Sequence, residues 1–104
     1  MYSAERYQDV ILSIEEGIIA GEGFEGQFIY LGNANLAIEQ FDEAINAFNQ
    51  VATSSRFYPD ALWYTALTHL AREDSQEARA VLFELQTMNS LYNSSASDLI
   101  DELE

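Results

Sequence analysis

Residues 28–52 read Phe28-Ile29-Tyr30-Leu31-Gly32-Asn33-Ala34-Asn35-Leu36-Ala37-Ile38-Glu39-Gln40-Phe41-Asp42-Glu43-Ala44-Ile45-Asn46-Ala47-Phe48-Asn49-Gln50-Val51-Ala52, and residues 62–86 repeat their pattern, without a gap, 34 positions later. Across that step Phe28 matches Leu62, Gly32 matches Ala66 and Leu36 matches Leu70. Glu43 likewise matches Glu77, Ala44 matches Ala78, Phe48 matches Leu82 and Val51 matches Leu85. The second half of the pattern also occurs one step earlier, with Tyr7, Asp9, Val10, Ile14 and Gly17 standing where Phe41, Glu43, Ala44, Phe48 and Val51 stand. A period of about 34 that contains two helical stretches predicts a helical solenoid, whose units bury their apolar faces by stacking on one another.

Working outward, Tyr7, Val10, Ile11, Ile14 and Ile18 recur at helical spacing and predict a helix over 7–19, ended by the glycines Gly21, Gly23 and Gly26. A second helix is expected from Phe24 or Glu25 to about Ile38, and a third from Phe41 or Asp42 to about Ala52. The link Glu39-Gln40 is so short that it forces an antiparallel hairpin. Pro59 suits the first turn of a fourth helix, which runs to about Arg72. Glu73-Asp74 makes the next turn, and Ser75 is expected to cap a fifth helix that ends near Gln86. A last helix over 94–103 gathers Ala96, Leu99, Ile100 and Leu103 on one side, preceded by Tyr92, and reads as a cap. The expectation is one all-α domain spanning 1–104, with a partial repeat, full repeats at 25–52 and 59–86, and the capping helix.

Charge narrows the partners. Arg6, Arg56, Arg72 and Arg79 are the only Lys or Arg residues, against 18 acidic ones, for a net charge of −14. Nucleic acid and anionic membrane surfaces are bound through Lys and Arg, so neither is expected as a partner. The sequence has no apolar run near the roughly 20 residues that span a bilayer, and its start, Met1 to Arg6, lacks the basic and apolar regions of a secretion signal. Without cysteine there is no disulfide frame and no thiolate metal site.

Leu31-Gly32-Asn33-Ala34 followed by Phe41-Asp42-Glu43-Ala44-Ile45, Ala47-Phe48 and Val51 resembles one complete tetratricopeptide (TPR) repeat. Leu62-Trp63-Tyr64-Thr65-Ala66-Leu67 with Glu77-Ala78, Leu82 and Leu85 resembles a second, and Tyr7 to Ile14 is similar to the second helix of a preceding one. The resemblance, to repeats of bacterial type, implies a right-handed α-α superhelix. It also implies a short segment of a partner protein or peptide bound on the inner wall formed by the first helix of each repeat. Val10 and Gly17 depart from the family pattern, as end repeats do. Because the pattern begins midway through a repeat, the chain is expected to be a piece of a longer protein.

The residues that the resemblance places on or beside the inner wall are Ile29, Tyr30, Asn33 and Leu36 from one unit and Trp63, Tyr64, Leu67 and Leu70 from the next. They lie beside the packing stripes Phe28, Leu31, Asn35 and Leu62, Thr65, Ala66, His69, so each helix is apolar over more than one face. An apolar or aromatic segment is the expected occupant, with Asn33 hydrogen-bonding its backbone. The alternative is a structural role, in which Trp63 and its neighbours pack within the chain or against a second copy as a homodimer. No catalytic residue, cofactor or metal is expected. His69 stands alone on an apolar helix, the acidic pairs lack metal-ligand companions, and the glycines follow a helix with no lysine after them.

Overall fold

The computed structural model describes residues 4–21, 26–88 and 91–103. Among these the regular structure is entirely helical: α1 (Ala4–Ile19), α2 (Gln27–Ala37), α3 (Phe41–Asn49), α4 (Tyr58–Ala71), α5 (Ser75–Gln86) and α6 (Asn93–Leu103). The expected helices are all present. α1 begins three residues before the expected Tyr7, and α3 stops at Asn49 rather than Ala52. The expected start of α2 at Phe24 or Glu25 falls outside the described residues, within which α2 begins at Gln27. The chain divides into two compact units, Met1–Val51 and Ala52–Glu104.

In the first unit α1 packs on α2 and α2 on α3. The closest approach is at Gly32, which is buried on α2 and faces Phe48 on α3. A Cβ added at Gly32 would lie 2.3 Å from the Phe48 ring, so any other residue there would collide with it. Phe48 fills the resulting space at 1% exposure, and Ala44 beside it is wholly buried. Phe28, read from the sequence as part of the packing stripe, is only half-buried, as is Phe41.

In the second unit α4 packs on α5 and α5 on α6. Leu62, Ala66, Leu82, Leu85, Ala96 and Ile100 form its core, with Trp63, Tyr92, Leu99 and Leu103 packed around them. α6 lays its apolar stripe on this core, with Ala96 and Ile100 buried in it. Two threonines are buried on α4, and both hydroxyls are satisfied within the helix. Thr65 Oγ1 donates to the Ala61 carbonyl at 2.7 Å and Thr68 Oγ1 to the Tyr64 carbonyl at 2.7 Å. Pro59 sits in the first turn of α4, where its missing N–H costs nothing.

The repeat extends to the backbone of the hairpin turns. Glu39 (φ 61°) and Glu73 (φ 65°) both take the left-handed conformation just past the ends of α2 and α4. The Gln40 amide donates to the Asn35 carbonyl at 2.9 Å and the Glu39 amide to Leu36 at 3.0 Å. In the second hairpin the Asp74 amide donates to His69 at 2.8 Å and the Glu73 amide to Leu70 at 3.0 Å. This paired 6→1 and 5→2 bonding is a Schellman motif, which ties up carbonyls that a helix end leaves unpaired. One expectation fails here: Ser75 does not cap α5. Asp74 holds the cap position without a side-chain capping bond, and its carboxylate lies 3.5 Å from Arg72 Nε. The left-handed turn at Glu73 already fixes the chain's entry into α5, so Ser75 falls one residue inside the helix.

Candidate functional site

The expected inner-wall residues divide between the units. In the first unit Ile29, Asn33 and Leu36 are half-buried on α2, and Tyr30 is 65% exposed. Half-buried apolar side chains beside an exposed tyrosine make a surface that water only partly covers. In the second unit Trp63, Tyr64, Leu67 and Leu70 are all half-buried on α4. Trp63 is engaged within its own unit. Its ring stacks on Tyr92, with centroids 5.3 Å apart and planes at 16°. Tyr92 in turn donates its hydroxyl hydrogen bond to the Asp60 carboxylate in the first turn of α4. The Tyr58 hydroxyl donates to Glu84 Oε2 on α5 at 2.8 Å, and Gln86 Nε2 donates to Ser97 Oγ on α6 at 2.6 Å. These bonds link the first turn of α4 to α5 and to the approach to α6.

A feature that the stripe reading missed lies in the first unit. α1 and α3 flank α2 and leave a groove of about 570 Å³ between them. Its apolar lining comes from Ile11, Ile18 and Ile19 on α1, Phe28 and Leu31 on α2, and Ala47 on α3. Asn35 also lines it, but its Nδ2 already donates to the Leu31 carbonyl at 3.0 Å. The polar rim is Gln8, Glu15, Gln40, Glu43, Asn46 and Gln50. None of the eight expected inner-wall residues lines this groove; it follows the stripe read as packing. The signal for it in the sequence was the helical spacing of Ile11 and Ile18 on α1, both of which line the groove; Val10 and Leu12, 42% and 55% exposed on the same helix, do not.

Chemistry-bearing groups are sparse around these surfaces. Among the described residues no three His, Cys, Asp or Glu side chains converge so as to hold a metal ion. His69 is half-buried on α4, and its Nδ1 has no hydrogen-bond partner among the described residues. No helix among the described residues is long and apolar enough to cross a membrane. Comparison with protein-family models, with curated proteins and with solved structures finds no match for this chain.

Proposed function

We propose that the chain is a non-catalytic protein-interaction scaffold of the tetratricopeptide type, a solenoid segment that binds a peptide or a segment of a partner protein. The observation that carries this is the groove of the first unit, apolar in its floor, polar in its rim and about 570 Å³ in volume. The repeated hairpin with its duplicated Schellman turn supports the repeat reading. A net charge of −14 without lysine disfavours nucleic acid as the occupant. The α2 stripe of Ile29, Tyr30, Asn33 and Leu36 is a second docking surface of this proposal, and Tyr64, Leu67 and Leu70 on α4 are a separate one in the second unit.

One observation favours a structural role for the second unit. Trp63, the largest side chain of the expected inner wall, already stacks on Tyr92 and packs on its own core. In that reading the second unit serves as a folded spacer or self-association surface.

Affinity capture from the source extract separates these readings, using the chain, an Asn46→Trp variant that fills the mouth of the groove, and a Leu67→Arg variant on α4. All three are first matched for helicity by circular dichroism, and captured proteins are identified by mass spectrometry. A partner lost only with Asn46→Trp places binding in the groove, and one lost only with Leu67→Arg places it on α4. Absence of any captured partner, together with a mass that grows with concentration, would replace the scaffold by a self-associating module.

A further inference from the structure

Resting on the scaffold reading, we propose that the groove between α1 and α3 seats an amphipathic helix whose apolar stripe is flanked by lysine or arginine. Shape comes first. Along the α1 wall, which runs from Gln8 to Ile19, the apolar Ile11 and Ile18 stand seven positions apart, and the opposite wall runs seven positions from Glu43 on α3 to Gln50 just past its end. At 1.5 Å per residue that is about 10 Å, or two helical turns. Apolar anchors at i, i+3 or i+4, and i+7 of a docked helix span the same distance. The walls are themselves helices whose backbone groups are bonded along the helix, so they offer no open edge to which an extended strand could add.

Charge then selects among helices. Each wall carries one carboxylate, Glu15 on α1 and Glu43 on α3, both on exposed residues. Among the described residues the rest of the rim is neutral, and no Lys, Arg or His lines the groove. The chain as a whole is at −14, so the long-range field adds to the local one and repels acidic partners. Rim charges set selectivity and encounter rate more than affinity, while the apolar floor supplies most of the binding. Both features of the occupant are therefore required, and each can be removed separately.

The test is a phage-displayed library of helical peptides about four turns long, randomised at the apolar stripe and at the positions flanking it, and selected against the immobilised full chain. The expected winners carry an apolar stripe with Lys or Arg beside it. Synthesised as free peptides, they should bind the Glu15→Lys/Glu43→Lys variant at least tenfold more weakly. They should bind Asp98→Lys/Glu102→Lys, which changes the net charge equally on exposed positions of α6, within about threefold of the parent. Winners with acidic or neutral flanks would overturn the basic-helix proposal and leave the scaffold reading standing, as would equal losses with both variants. Failure to select any peptide, with the immobilised chain shown to be helical, would overturn both.

Discussion

The pair Gly32–Phe48 and its counterpart Ala66–Leu82 show how one residue dictates another across a hairpin. In the first unit the larger Phe48 ring occupies the space where a Cβ at residue 32 would go, at 2.3 Å. In the second, Leu82 is smaller, and Ala66 fits into the same wholly buried core. Gly32→Ala gains about 1 kcal/mol of helix propensity but forces a ring that is 1% exposed to move, at a cost of about 1–3 kcal/mol. Where the ring cannot give way the collision dominates, and a net loss of up to about 2 kcal/mol is expected in urea unfolding. Adding Phe48→Leu should recover most of that loss and make the double variant more stable than the sum of the single ones, a non-additivity read from a double-mutant cycle. The left-handed glutamates lead to the opposite outcome. Glu39 and Glu73 hold φ near 60° (61° and 65°), where a side chain costs about 1–2 kcal/mol and glycine costs nothing. Glycine also loosens the unfolded chain by about 0.4–1 kcal/mol, so Glu39→Gly or Glu73→Gly should each raise stability by about 0.5–1 kcal/mol. A fall in the urea midpoint for either variant would mean that the glutamate side chain makes a compensating contact.

At the scale of the elements, the helices were legible because apolar spacing and short links are local signals. The 34-residue step even aligned Glu39 with Glu73, whose left-handed turns the structure shows to be the same. What local signals could not carry was the pairing of distant residues. The stripe containing Trp63 was readable on α4, but its stacking on Tyr92 depends on where the chain returns after α5. The groove was hidden for a related reason. Phe28 and Leu31 are apolar whether a neighbour covers them fully or in part, and only the placement of α1 against α3 decides which. The bonds that tie the second unit together are also tertiary, and they are pH-sensitive. The Tyr58 phenol is pushed above its usual value, first by its hydrogen bond to Glu84, then by burial and by the carboxylate's charge. Tyr92 is pushed up further, first by burial and then by its hydrogen bond to Asp60 and that residue's charge. The ordinary tyrosine value, which the unfolded chain takes, is 10.0. Above it the unfolded chain binds fewer protons than the folded one, so stability is fully present below that pH and declines as pH rises through the folded values. Thermal melts from neutral to strongly alkaline pH should show this decline. In Tyr92→Phe the decline should be shallower, although the variant starts about 1 kcal/mol less stable at neutral pH because the bond to Asp60 is gone. An alkaline slope as steep in Tyr92→Phe as in the parent would remove Tyr92 from the explanation.

For the molecule as a whole, charge is the dominant variable. Four arginines face 18 carboxylates, so most acidic side chains have only like charges to interact with. A compact state at −14 is destabilised by self-repulsion, and the unfolded chain relieves that repulsion by expanding. Salt should therefore stabilise the fold. Raising NaCl from about 10 mM to about 150 mM shortens the screening length from about 30 Å to about 8 Å, which removes the long-range part of the repulsion. A gain on the order of 1 kcal/mol corresponds to a rise in melting temperature of roughly 4–8 °C for a chain of this size. The last turn of α6 concentrates the effect. Asp101 and Glu102 stand there with no basic residue, at the helix end whose partial charge is already negative. Asp101→Asn with Glu102→Gln should raise the low-salt melting temperature and flatten its dependence on NaCl. If the melting temperature of the parent instead fell over this range of NaCl, attractive pairs rather than net repulsion would govern its stability.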